Sequence, residues 1–340
     1  MNNLNRESSV AHRNSTIDLA KCIAAFMVIA LHTMRTFGTD SNYGFFIINV
    51  VCRMAVPFFA ICTGYFLGET YEQAEGDRRK KILASVVKQL KKLIILYCIW
   101  SLIYMIYSIP MWVSMGWFSA HAFLDYCIGA VKLGSHYHLW YILSLIYALP
   151  IYYLCETHLR KKQLLYLSIA LWLVKAVNYG YKVFLPEPVT QVFGIMDKFP
   201  GFTDAIFCIL PLLILGTLIR EGRKGKTEFY AFGFVFSFLL LCSEAFLLKS
   251  RGQLAASYIF STYPTAYFLF QLILCTHIPI SQNLSMKMSS ISLLVYCIHP
   301  MFGEITDALL TSNTLHYLVT AVASAGVSLL FLKIVQHRNA

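Results

Sequence analysis

Charge is what this chain has least of. Only 13% of its 340 residues are Asp, Glu, Lys or Arg, where a soluble domain carries about a quarter. No polar stretch exceeds about thirty residues, too few to bury a core, so no soluble domain of any size is expected. Acids are scarcer than bases, 17 against 28. Without a basic soluble surface, the net charge of +11 supports no nucleic-acid role; it fits the bias of loops on the inner side of a membrane. The ten cysteines fall almost all within apolar runs and form no CxxC pair. They read as small buried hydrophobes, not as a disulfide frame or a metal site. The motifs HExxH, GxGxxG and GxSxG and the Walker loop are missing too, so nothing supports metal binding, nucleotide hydrolysis or serine-hydrolase chemistry.

What is abundant is apolar surface: 58% hydrophobic and 15% aromatic residues, with a mean hydropathy of +0.61. Apolar runs of about twenty residues recur from end to end, the length that crosses a bilayer as a helix. The expected fold is all-α: a polytopic integral membrane helix bundle of about ten transmembrane helices. They fall near 17–37, 43–68, 84–108, 138–155, 163–179, 204–219, 228–247, 254–277, 288–309 and 314–335. The chain is expected to be one membrane domain over 1–340, with 1–16 as a cytoplasmic tail. The first apolar run carries Asp18 and Lys21 and shows no small-residue cleavage site, so it reads as a retained helix and not a signal peptide. The aromatic segment 110–137 fits a piece lying in the interface or re-entering it.

Lys and Arg concentrate in the N-terminal tail and at 78–81, 160–162, 220–226, 287 and 333–338, sixteen in all. The alternate loops hold five: Lys132, Lys182, Lys198, Lys249 and Arg251. That asymmetry places both termini in the cytoplasm of a multi-pass protein. The outer loop around 180–203 is a candidate part of an acceptor site, though its Pro and Gly also suit ordinary turns.

Polar residues inside the apolar runs are the candidates for function. In KCIAAFMVIALH, Lys21 and His32 are eleven residues apart, three turns plus about 20°, so both face one way about 16 Å apart. Asp18 and Arg35, each three residues outside that pair, extend the stripe. Helix–helix glue and a functional stripe both fit this spacing. Arg53 opens a run in which Pro57 breaks the backbone ladder and Thr63-Gly64-Tyr65 permits close helix approach. Lys88, Lys91 and Lys92 begin the third helix, where they suit anionic lipid or a phosphate-bearing donor. His136 and His138 open the fourth helix, ahead of Trp140 and Tyr141. His299 falls three residues after Tyr296 and just before Pro300, with Glu304 and Asp307 further out. Glu244 is a further acid in an apolar run, suited to glue or to function.

Together these segments resemble the acyltransferase type 3 membrane family, which includes surface-polysaccharide and peptidoglycan O-acetyltransferases. The resemblance covers nearly the whole chain. Its first helix has a basic residue, ten residues and a His, as Lys21 to His32 do. Its second reads roughly VPxFFxxSGYF, here VPFFAICTGYF with Thr63 in place of Ser. Its third starts with a basic pair three apart, which Lys88 and Lys91 match best and Gln89 and Lys92 match in another register. HLWYI and the stretch Ser292 to Pro300 match two later motifs. Lysines stand where many members have arginine, which loses bidentate phosphate geometry. Some members carry an esterase-like domain at the C-terminus; none is expected here, which would leave acceptor choice to the membrane part or to a partner.

The resemblance implies transfer of an acyl group, acetyl first of all, from cytoplasmic acyl-CoA to a hydroxyl of a surface glycan or lipid-linked saccharide at the bacterial plasma membrane. Lys88 and Lys91, with Lys21, would hold the CoA phosphates. His32 would act as general base or carry the acyl group itself. Arg35 or Arg53 would stabilise the oxyanion, and His299 is the next candidate for the chemistry. A second resemblance, to the membrane halves of vancomycin-resistance serine racemases, implies instead a transporter of a small polar solute such as L-serine, its intramembrane charges lining the path. Membrane lipids are partners on either reading.

Overall fold

The computed structural model describes residues 14–72, 77–222, 225–253 and 257–338. Most of the expected tail, with Arg6 and Arg13, and also Arg223 and Lys224, lie outside the described residues. Every regular element among the described residues is a helix. Seven are long and apolar enough to cross a membrane: Ser15–Thr33, Asn42–Glu69, Arg78–Ser114, Pro200–Glu221, Thr227–Ser250, Gln282–Leu309 and Asn313–Val335. The three other expected spans are helical but shorter or less apolar. These are Trp140–His158, rich in tyrosine; Lys161–Tyr179, with three lysines; and Thr262–Cys275, with 14 residues.

The helices are numbered in chain order. α1 is Ser15–Thr33, α2 Arg35–Asp40 and α3 Asn42–Phe45; α4 is Ala55–Glu72, α5 Arg78–Ser114 and α6 Ala120–Lys132. α7 is Trp140–His158, α8 Lys161–Tyr179, α9 Glu187–Met196, α10 Pro200–Asp204 and α11 Leu210–Glu221. α12 is Thr227–Ser250, α13 Thr262–Cys275, α14 Gln282–Leu309 and α15 Asn313–Arg338. A π turn over Phe46–Val51 and a 3-10 turn over Cys52–Met54 join α3 to α4. Pro57, four residues after Arg53, cannot donate to the Arg53 carbonyl, and the helix is irregular just ahead of it. Arg53 therefore sits in a distorted turn.

Two differences from the expected helices affect the site. α1 stops at Thr33 because Met34 leaves helical geometry (φ −113°, ψ 37°). Arg35 consequently opens α2, exposed, and does not continue the stripe of Asp18, Lys21 and His32. α5 starts at Arg78, where the Asp77 side chain accepts from the Arg79 amide, so Lys88 lies ten residues into the helix.

Cross-helix contacts fix directions. Arg78 at the start of α5 meets Glu156 at the end of α7, 3.2 Å away, so these two are antiparallel. Ser168 of α8 donates to the Pro211 carbonyl at 2.7 Å, and Lys175 pairs with Asp204 at 2.6 Å, again antiparallel. α4 and α11 run parallel, with Gly68 and Glu69 on Arg220 further along than Gly64 on Leu213, and nearly touch: a Cβ on Gly64 would stand 2.0 Å from the Leu213 carbonyl oxygen, and one on Gly216 2.2 Å from that of Ile61. α1 and α14 are also parallel, with Ser285 donating to Asp18 at 2.6 Å and Thr33 facing Gly303 further along.

The outer surface is that of a lipid-facing bundle. Phe232 is 72% exposed and Val322 71%, while the core holds Ala60, Ile61, Leu139, Leu149, Leu212 and Leu213 at 0%. In the expected interfacial segment, α6 buries no residue. Glu244 serves the fold. Its carboxylate accepts from the Phe260 and Ser261 amides at 2.8 Å each, capping the start of α13.

Candidate functional site

One polar face of α14 organises the interior. Ser285, Ser289, Ser292, Tyr296, His299 and Gly303 recur at three- and four-residue steps, so they share one side of the helix. That side lies along α1. Ser285 meets Asp18, Ser289, Ser292 and Tyr296 line a cavity, and His299 meets His32.

The cavity, about 620 Å³, opens at the end of the bundle where α1 begins. Lys21 lines it from α1, Thr63 and Phe66 from α4, Tyr141 from α7, and Ser85, Lys88, Gln89 and Lys92 from α5. The α5 residues are one face at i, i+3, i+4 and i+7. Lys91 falls off that face and does not line the cavity; the basic residues that do are Lys88 and Lys92, with Gln89 beside them. Lys21 Nζ lies 3.5 Å from Asp18 Oδ1 and 4.4 Å from the centre of the Phe66 ring. No ion pair to Lys88 or Lys92 occurs among the described residues, so both mouth cations are uncompensated there.

Beyond the cavity's inner end lies a cluster of imidazoles. Tyr296, which lines the cavity, has its ring 5.4 Å from that of His138 and 6.3 Å from that of His299. Its hydroxyl donates to the His138 carbonyl. His32 stacks on His299 with centroids 5.4 Å apart and planes at 24°, and lies 4.8 Å from the Tyr137 ring. His138 lies 5.5 Å from His299. His136 stacks on Tyr104 at 4.2 Å and pairs with Glu304 at 3.0 Å. Tyr104 in turn donates to the Cys297 carbonyl at 2.7 Å.

The His299-Pro300 sequence explains how His299 is held. Pro300 has no N–H, so the Tyr296 carbonyl loses its helical donor. His299 Nδ1 lies 2.9 Å from that oxygen and 3.2 Å from the Val295 oxygen. Carbonyls only accept, so Nδ1 carries the proton and the neutral ring keeps its lone pair on Nε2. That Nε2 is buried without a partner, and His299 is 0% exposed. A fixed imidazole with an unengaged lone pair has the form of a general base.

The two arginines stand at the edge of this cluster. Arg35 lies 5.8 Å from the Tyr137 ring. Arg53 Nη2 is 3.5 Å from Asn49 Oδ1, and its Nε is buried and unpartnered. Both act electrostatically on His32. Despite the gathering of imidazoles, no group of three metal-ligating side chains among the described residues is placed to hold an ion.

The structure thus brings Lys21 and Lys88 together at one cavity, and His32 and His299 together beyond it. Sequence reasoning missed Tyr104 and Tyr137 entirely. It noted His136, His138 and Glu304 without joining them; the HxH spacing ahead of Trp140 was the available signal.

The chain is similar to two proteins whose names describe racemases. It is 26% identical over 340 residues to a serine/alanine racemase of Enterococcus gallinarum, covering 94% of this chain and 46% of that one. It is 25% identical over 344 residues to an amino-acid racemase of Enterococcus faecalis, covering 95% and 46%. The chain spans about half the length of these curated relatives. No solved structure matches. The family model described as an acyltransferase domain (Acyl_transf_3) matches residues 14–333, nearly the whole chain, and the protein belongs to that family of acyltransferases.

Proposed function

We propose that this protein is an integral membrane O-acyltransferase that moves an acyl group, acetyl first of all, from acyl-CoA to a hydroxyl of a surface glycan or lipid-linked saccharide. Ten spans, with both termini in the cytoplasm of a bacterial cell, accompany this reading: α5 and α7 run antiparallel, as do α8 and α11, and the sixteen-to-five charge bias would put the cavity mouth inside. The observation that carries the proposal is a cavity with Lys88 and Lys92, which pair with no acid among the described residues, at its mouth and Tyr296 at its inner end, one ring from the imidazoles. A CoA phosphate would meet Lys88, Lys92 and Lys21, and the pantetheine arm would run along the serine face of α14. The thioester would then approach His32 and His299, where a neutral imidazole takes the acceptor's proton or receives the acyl group. Arg53 or Arg35 would face the oxyanion.

A second reading is transport of a small polar solute such as L-serine, favoured by the relatives named as serine and amino-acid racemases and by the buried Lys175–Asp204 pair. CoA binding by the detergent-solubilised protein separates the two, since a serine carrier has no use for CoA. Mass spectrometry of surface glycans with and without the protein tests the reaction: an acyl group that vanishes with the protein supports transfer, and an unchanged acylation pattern rejects it.

A further inference from the structure

Three side chains lead from the buried imidazoles to the protein surface. Glu304 Oε1 lies 3.0 Å from His136 Nε2, and His136 Nδ1 lies 3.2 Å from His138 Nδ1. Exposure falls along the series: the Glu304 side chain is 42% exposed, that of His136 13%, and His138 is 1% exposed. The last nitrogen, His138 Nε2, is buried without a partner. Rings wall the series: Tyr104 and Tyr137 stand 4.2 and 4.6 Å from His136, and Tyr296 and His299 5.4 and 5.5 Å from His138.

The chemistry of each atom sets the resting protons. A carboxylate only accepts, so His136 Nε2 carries a proton and the neutral ring has its lone pair on Nδ1. That lone pair accepts from His138 Nδ1–H, which leaves the His138 lone pair on Nε2. We propose that His138 is a base of this site and that His136 and Glu304 carry its proton out to water. When a proton binds at His138 Nε2, the Nδ1 proton passes to His136 Nδ1, and the resulting imidazolium rests on the Glu304 carboxylate.

The inference rests on the acyl-transfer reading. There, the acceptor's O–H bond breaks and its proton goes to His138 Nε2. The acceptor oxygen forms the ester bond to the acyl carbon as that carbon's bond to the CoA sulfur breaks. The departing thiolate takes a proton from water at the donor side. His136 and Glu304 are positioning residues, since they act through His138.

The test uses native membranes, which contain the acceptor, with acetyl-CoA varied and CoA thiol release measured. Glu304→Gln keeps an oxygen for His136 Nε2–H but cannot stabilise the imidazolium. It is expected to lower kcat about 100-fold with an unchanged KM for acetyl-CoA and unchanged thermal stability. His138→Gln is expected to lose a similar factor, the double variant no more than either single, and Glu304→Asp to recover part of the rate. A readout independent of turnover is the imidazole nitrogen-15 spectrum of histidine-labelled protein, with His138 identified by its loss in His138→Gln. The resting proton is expected on Nδ1. Wild-type kcat in Glu304→Gln, additive losses, or a protonated Nε2 on resting His138 overturns the relay. The expected tautomer in a protein that transfers no acyl group rejects the enzyme reading and upholds the relay geometry.

Discussion

His32 and His299 lie face to face, ring centroids 5.4 Å apart and planes 24° from parallel, one on the first long helix and one on the ninth expected span. Two parallel helices hold them. The Asp18–Ser285 bond anchors one end at 2.6 Å, and the close passage of Thr33 by Gly303 sets the other. A stacked pair in which one imidazole is locked by its neighbours leaves the second as the moving partner. Met34 leaves helical geometry two residues after His32, so the end of α1 is the freer of the two.

His32→Ala is therefore expected to abolish acyl transfer while leaving membrane insertion and abundance intact. Losing a general base costs about 10²–10⁴ in rate; losing a covalent carrier costs more. His32 is only half-buried, so its truncation opens little core. Glycan acylation in cells expressing matched levels of each variant checks this. Near-normal acylation by the variant would remove His32 from the chemistry and leave His299 as the candidate.

Lys88→Ala with Lys92→Ala is expected to raise the KM for acyl-CoA about tenfold while leaving kcat and acceptor use near normal. Charge-assisted contacts are worth about 1–3 kcal/mol each, reduced here by solvent at an exposed mouth. Lys91→Ala, off the cavity face, is expected to change KM little. Initial rates against donor concentration in reconstituted protein separate the three variants. A larger effect from Lys91 than from Lys92 would favour the Lys88–Lys91 register of the basic pair.

The Lys21–His32 relation was legible in the sequence because one helix fixes its own register at 3.6 residues per turn. The same logic failed two residues past the helix end: Arg35 reads as part of the stripe only if α1 continues, and Met34 ends it. Lys88, Lys91 and Lys92 share overlapping faces, so choosing among them needs the neighbouring helices. The close approach at Thr63-Gly64-Tyr65 was legible as a small-residue seam, though not its partner, Gly216 of α11. Which histidine meets which carboxylate was not legible at all. Glu304 reaches His136 and not His299, five residues before it, because five residues is a turn of about 140° around the helix.

Gly64→Ala is expected to destabilise the bundle, because the new Cβ would stand 2.0 Å from the Leu213 carbonyl and two backbones would have to part. Overpacking of this kind costs about 1–3 kcal/mol or more. Gly326→Ala on α15, where nothing lies within 4 Å of the added carbon, is expected to be neutral or slightly stabilising. Thermal aggregation of the detergent-solubilised variants measures both. Equal midpoints for the two would contradict the tight α4–α11 seam.

Pro300→Ala tests the lock on His299. Restoring an N–H at position 300 gives the Tyr296 carbonyl a backbone donor, which competes with His299 Nδ1 for that oxygen. Alanine is the better helix former by about 3 kcal/mol in a helix interior, so the variant is expected to be at least as abundant as the wild type. Its imidazole, no longer held to one tautomer and one rotamer, presents the Nε2 lone pair only part of the time. Acyl transfer is expected to fall roughly tenfold, less than the loss of about 10²–10⁴ expected when a base is removed, as in His299→Ala. Turnover at saturating donor, measured on equal amounts of protein, reads the difference. If Pro300→Ala keeps full turnover while His299→Ala loses it, the imidazole is needed and its anchoring is not. If both keep full turnover, His299 takes no part in the chemistry, and the acceptor's proton goes to His138 without it.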